Sequence, residues 1–124
     1  MICLDTNYLI KALLPGSNEA EAVLNWLRQG VTLSTSSVAW YEFVCGPVKA
    51  SEIEMVRSLL AGGVLPFGDA EARAAARLFN AVHRSRRFRV DAMIAASSMV
   101  NGAALATDNT ADFKAFVPHG LKLL

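Results

Sequence analysis

The chain has 124 residues, 53% of them hydrophobic and 19% charged, with a formal net charge of +1 and two cysteines. That length suits a single domain over residues 1–124 with a sizeable core, and the apolar content excludes intrinsic disorder. Two cysteines exclude a disulfide-stapled scaffold, and a charge near zero argues against a polybasic nucleic-acid binder, although a sum hides its distribution.

The N-terminal MICLDTNYLI lacks the basic flank of an export signal and carries Asp5 where such a signal is apolar. Met1–Leu4 is the first strand candidate. Asn18–Gln29 sets Ala22, Val23, Trp26 and Leu27 at helical spacing, and Gly30 stops it. Val31–Ser34 is the second strand. Ser37–Cys45 is a short helix ended by Gly46-Pro47, apolar nearly all round, and Glu42 is its only charge. Such a helix is expected to be buried on most faces. Ser51–Ala61 reads as a helix capped by Ser51, with Glu54 three residues on. Gly63–Pro66 is the third strand, and Asp69 caps an alanine-rich helix over Asp69–His83. Val90–Val100 is a further helix, stopped by Asn101-Gly102. Ala103–Ala106 and Leu121–Leu124 are the fourth and fifth strands. No run reaches the ~20 apolar residues of a membrane span, so a cytoplasmic protein without a membrane partner is expected.

Strands alternating with helices predict an α/β fold around a mostly parallel sheet of four to five strands. Strand C-termini then share one edge, where ligands bind in open α/β sheets. Asp5 follows the first strand. Asp108 and Asp112 follow the fourth, and Asp91 opens the helix leading into it. Each acid alone has an ordinary reading: Asp5 and Asp91 as caps or turn residues, Glu42 as the partner of an arginine, Asp108 and Asp112 as loop residues. Together they would repel one another unless a cation neutralised them. Oxygen donors without a cysteine or histidine cluster suit Mg²⁺ or Mn²⁺ rather than zinc.

Six of the twelve Lys/Arg residues lie between Arg73 and Arg89. HRSRRFRVD packs Arg84, Arg86, Arg87 and Arg89 directly before Asp91. A charge run is most often a solvated loop, but arginine also pairs bidentately with phosphate. Arg84, Arg86 and Arg87 are therefore candidate substrate contacts. Phe88 either stacks on a base or packs the core. Cys3 and Cys45 are expected to be buried apolar fillers. Trp26, Trp40, Met93 and Met99 are expected to pack the core or a dimer face, and His83 and His119 have no partner at ligand spacing.

LDTN at Leu4–Asn7, the lone Glu42, DAMIAA at Asp91–Ala96 and TDNTADF at Thr107–Phe113 resemble the PIN domain. Their order and the chain length are most similar to the VapC toxins of bacterial toxin–antitoxin pairs, and the resemblance covers essentially the whole chain. It implies a three-layer α/β/α fold and a magnesium-dependent endoribonuclease that inhibits translation and growth. Asp5, Glu42 and Asp91 match the family's acidic positions, with Asp5 and Asp91 as metal ligands. The slot of the fourth ligand holds Asn109, and Asp108 and Asp112 flank it as alternatives. The implied reaction is in-line attack of water on an RNA phosphate, leaving a 5′-phosphate and a 3′-hydroxyl, with Glu42 or Asp91 orienting or deprotonating the water. Thr6, Asn7, Thr107 and Asn109 are candidates to hold carboxylates or phosphate by hydrogen bonds. The partners implied are an RNA substrate (a transfer or ribosomal RNA), a second copy of the chain, and an antitoxin whose tail enters the acidic cleft.

Two other α/β classes fit less well. A phospho-acceptor receiver domain wants an acidic pair after strand one and a lysine after strand five. A haloacid-dehalogenase-type phosphatase wants Asp-x-Asp, which Asn7 breaks. A catalytically silent PIN domain that binds RNA or protein is the alternative from another class.

Overall fold

The structure, a computed structural model, describes residues 1–124. Strand β1 (Ile2–Leu4) lies inside a four-stranded parallel sheet, between β2 (Leu33–Ser36) and β4 (Ala104–Ala106), with β3 (Val64–Leu65) outside β2. All of β1 is buried, as expected where helices cover both faces of a parallel sheet. The helices are α1 (Thr6–Lys11), α2 (Asn18–Arg28), α3 (Ser37–Cys45), α4 (Ala50–Leu59), α5 (Asp69–Ala81), α6 (Arg89–Val100) and α7 (Thr110–Phe113). Short 3₁₀ turns span Arg86–Phe88 and Lys114–His119. This is the three-layer α/β/α arrangement expected from the sequence. No helix is long and apolar enough to cross a membrane.

The chain runs outward from β1 to β3, then returns to the other side of β1 as β4. The strand order therefore reverses between β1 and β4, and a crevice opens there beyond the strand ends. Leu4 is in register with both Thr35 and Ala106, so the three strands end level. Asp5 and Thr107 are the first residues past that edge.

Several element boundaries differ from the sequence expectation. The second strand is Leu33–Ser36, two residues beyond Val31–Ser34. Its polar residues are buried because each hydroxyl is bonded: Ser34 donates to the Ile2 carbonyl at 3.3 Å and Thr35 to that of Leu4 at 2.7 Å. The Ser36 hydroxyl accepts from the Ala39 N–H at 3.0 Å and caps α3. The fifth strand shrinks to one parallel bridge between Leu105 and Leu123. Helix α4 starts at Ala50, where the Lys49 N–H donates to Glu52 at 2.8 Å, so Ser51 and Glu54 do not form the cap. Asp69 is the first residue of α5 rather than its cap and pairs with Arg73 at 2.9 Å. That helix ends at Ala81, and His83 and Arg84 turn the chain with φ of 59° and 56°. Such left-handed conformations are uncommon for residues with a Cβ.

The core lies between the sheet and the helices and includes Leu4, Leu9, Leu33, Phe43, Ile94, Leu105, Phe113 and Phe116. Phe88 is buried edge-on against Phe116, 5.7 Å between ring centroids, so it packs the core. Cys3 is buried as expected, but Cys45 is exposed. Tyr41 and Val44 are exposed beside it, so α3 is covered on one face only.

Candidate active site

Asp5 is the residue between β1 and α1, a helix that the sequence reading did not identify. Only 5% of its surface is exposed. It caps α1, with Oδ1 accepting from the Thr6 N–H at 2.8 Å. Its Oδ2 accepts from the Thr107 hydroxyl at 2.7 Å and the Asn7 amide at 3.4 Å. The Thr107 bond spans the crevice between β1 and β4. Burial pushes the Asp5 carboxyl above the usual carboxylate range, against the pull of these donors.

Glu42 reaches the same place from α3. It is exposed, and Oε1 accepts from the Thr6 hydroxyl at 2.9 Å. Its partner is therefore a threonine of α1, not an arginine. Asp112, in α7, accepts from the Asn109 amide at 3.2 Å, and the Asn109 N–H donates to Thr107 Oγ1 at 3.0 Å. Phe113, fully buried, anchors the chain directly after Asp112. The four neutral residues expected to hold carboxylates or phosphate thus each donate to a carboxylate: Thr6 to Glu42, Asn7 and Thr107 to Asp5, Asn109 to Asp112.

Asp91, in the first turn of α6, is half-buried and makes no side-chain hydrogen bond. Its carboxyl is pushed up to about 6, first by burial and then by the charges of Asp5, Asp112 and Glu42. Those three acids come from separate elements, and the charge of each bears on Asp91. No lysine or arginine pairs with any of them. Asp108 stands apart, tied to Lys11 at 2.7 Å, with its backbone N–H held by Asn7 Oδ1 at 3.1 Å. Lys11 escaped the sequence reading because its partner is 97 residues away.

The donor set suits a hard divalent ion: oxygen only, negatively charged and uncompensated. As the side chains stand, no three carboxylate, histidine or cysteine side chains form a closed ligand group.

Arg84, Arg86, Arg87 and Arg89 are all exposed, and none is in an ion pair. Aromatic faces carry three of them. The Arg84 and Arg89 guanidiniums lie 5.5 and 5.7 Å from the Phe79 ring centre, and that of Arg87 lies 4.4 Å from Phe88. Arg84 also donates to Asn80 at 2.9 Å.

Among curated protein sequences, none matches the chain. Solved structures with the same fold include FitAcB from Neisseria gonorrhoeae, 24% identical over 100% of this chain and 96% of that one, TM-score 0.74. VapBC2 from Rickettsia felis, solved with a DNA fragment from its promoter, is 22% identical over 100% and 98%, TM-score 0.75. A toxin-antitoxin complex from Klebsiella pneumoniae is 25% identical over 91% and 90%, TM-score 0.67. The family model for the PIN domain matches residues 2–116. PIN domains are generally nucleases that use divalent metal ions. With the crevice acids and almost the whole chain inside that match, the protein belongs to the PIN domain family.

Proposed function

We propose that this chain is a Mg²⁺-dependent endoribonuclease, Mn²⁺ being a possible substitute, and the VapC-type toxin of a toxin–antitoxin pair. The observation that carries the reading is the set of acids Asp5, Glu42, Asp91 and Asp112, none paired with a lysine or arginine, in which burial first and the charges of the other three next push the Asp91 carboxyl up to about 6. A cluster like that is unfavourable alone and favourable around a divalent cation.

In this reading Asp5 and Asp91 hold the ion, and Asn109 with Asp112 completes its surroundings. When bound, the ion supplies Lewis acidity toward the scissile phosphate and neutralises the cluster. Glu42, exposed and oriented by Thr6, or Asp91 would accept the proton of the attacking water. Asn7 and Thr107 fix the Asp5 carboxylate. Arg84, Arg86 and Arg87 have unpaired guanidiniums in the segment before Asp91 and hold RNA phosphates.

A protein partner is supported by an apolar groove between α1, α3 and α4, of about 220 Å³, lined by Ile10, Leu13, Leu14, Phe43 and Val48. Ile10 and Leu14 are about half exposed, as an amphipathic antitoxin helix requires of its seat. The Klebsiella pneumoniae neighbour, a toxin-antitoxin complex, points the same way. A second groove of about 360 Å³, between Val38, Tyr41 and Glu42 of α3 and Val90 and Met93 of α6, borders the site, and a second copy of the chain seated on its apolar side chains would flank Glu42. The protein acts in the cytoplasm, where its RNA substrate is.

The test is RNA cleavage by the purified protein with Mg²⁺ and with excess EDTA, alongside Asp5→Asn and Asp91→Asn. Cleavage by the wild type with Mg²⁺ alone is expected. Activity that persists in EDTA, or survives in both variants, overturns the reading. Sequencing of RNA ends after brief expression in a bacterium then identifies the target.

A further inference from the structure

Lys11, the last residue of α1, has no role in the chemistry above, yet it is the only cation held at this sheet edge. Its ammonium lies 2.7 Å from Asp108 Oδ2 and 3.8 Å from Glu19 Oε1. The Glu19 side chain is 12% exposed and its Oε2 has no hydrogen-bond partner, so its charge is directed at Lys11. Asp108 sits between Thr107, which bonds Asp5, and Asn109, which bonds Asp112. Two other bonds hold backbone N–H groups of this turn, Asp108 N–H to Asn7 and Asn109 N–H to Thr107 Oγ1, and the Thr107 hydroxyl is itself tied to Asp5. Lys11 is therefore not needed to shape the turn. What it fixes is the Asp108 carboxylate, a fifth acid beside a cluster of four. Even when paired, the charge of Asp108 is felt at Asp5. Asp108 precedes Asn109 in the same loop.

We propose that Lys11 is a positioning residue that sequesters Asp108, keeping it from competing with the Asp5, Asp91 and Asp112 side of the crevice for the divalent ion. The proposal rests on the nuclease reading above. It is a selection between two neighbouring acids by one ammonium, and it explains why the acid next to the Asn109 slot takes no part in the cluster.

The experiment is a double-mutant cycle on the full chain with Lys11→Met, Asp108→Asn, the double variant and Lys11→Arg. Mn²⁺ affinity is read by calorimetry and RNA cleavage under single-turnover conditions with saturating Mn²⁺. Lys11→Met is expected to bind Mn²⁺ about tenfold more tightly and to cleave about tenfold more slowly, the scale typical of outer-shell changes. Asp108→Asn alone leaves both readings near wild type, the double variant returns both to that level, and Lys11→Arg retains them. A double variant as impaired as Lys11→Met, or a Lys11→Met protein indistinguishable from wild type, overturns the proposal. If the wild type cleaves no RNA, the nuclease reading fails, while the Mn²⁺ titrations across the cycle still decide the role of Lys11.

Discussion

The acidic crevice and the arginine segment, which leads in the chain to one of its acids, Asp91, are built in opposite ways. In the crevice, Asp5, Glu42 and Asp112 are each held by a neutral donor, and the donors are linked to one another through Thr107 and the turn that follows it. Among the arginines, only Arg84 makes a side-chain hydrogen bond, and Arg84, Arg87 and Arg89 rest on aromatic rings. The first arrangement fixes charge at defined positions against its own repulsion. The second leaves guanidiniums free to meet a backbone of variable path. A net charge of +1 sums over both groups and the rest of the chain, which is why it revealed neither.

The comparison breaks most sharply at the acids. Asp5→Asn or Asp91→Asn is expected to lower Mg²⁺-dependent RNA cleavage by about 10²- to 10⁴-fold, the range for loss of a group acting in the transition state. The same Asp91→Asn change is expected to stabilise the metal-free fold, because it removes a charge that burial disfavours and that Asp5, Asp112 and Glu42 oppose. Asp91 binds its proton more tightly folded, at about 6, than at its ordinary value of 3.8. Its protonated form therefore imposes no penalty below 3.8, and a penalty accumulates as pH rises from there to about 6. The melting temperature of Asp91→Asn minus that of wild type should be near zero at about pH 4 and grow to a few degrees at about pH 7 without metal. A difference that stays flat with pH shows that neither burial nor the other acids raise the Asp91 carboxyl in the folded chain.

Thr107→Val tests the linkage within the crevice. It removes the hydroxyl that donates to Asp5 and accepts from the Asn109 N–H, and it leaves both groups short of a partner. A loss of about 1–3 kcal/mol in stability is expected from denaturant unfolding. Mn²⁺ affinity should fall with it, since Asp5 loses its shortest bond. Thr107→Ser restores the hydroxyl and should recover most of the loss. An unaffected Thr107→Val protein shows that Asp5 is fixed by the α1 cap alone.

The fold was legible in the sequence wherever side-chain spacing carried it. Four strands, the five longer helices and the three acids Asp5, Glu42 and Asp91 follow from apolar runs and motif order. The misplacements have a common physical cause, which is that partners distant in sequence decide the outcome. β2 runs on over Thr35 and Ser36, past the expected Val31–Ser34, because their hydroxyls are satisfied by a β1 carbonyl and an α3 N–H that local sequence does not reveal. Helix α1 was missed since six residues give too little periodicity, and its stability comes from the Asp5 cap and buried Leu9. Glu42 was expected inside a covered helix, but Tyr41, Val44 and Cys45 face outward, and amino-acid type alone cannot tell a core face from a docking face. Asp108 and Asp112 were equivalent on paper; Lys11 separates them.

The smallest expected effect, and the one that sharpens the contrast, is at the arginines. Changing Arg84, Arg86 and Arg87 to alanine removes charges that pair with no carboxylate. The fold should therefore be nearly untouched, and the melting temperature should stay close to wild type. Every phosphate of single-stranded RNA that an arginine ceases to neutralise flattens the log–log salt dependence of binding by about 0.7, so the triple variant should lose about 2 from that slope. Cleavage at saturating RNA should change little, because these side chains bind the substrate along its path and do not act on the scissile bond. An unchanged slope returns the segment to an ordinary solvated loop. A slope that flattens while saturated cleavage also collapses places an arginine at the reacting phosphate, and then the division between a fixed acidic crevice and an adaptable basic segment fails at that residue.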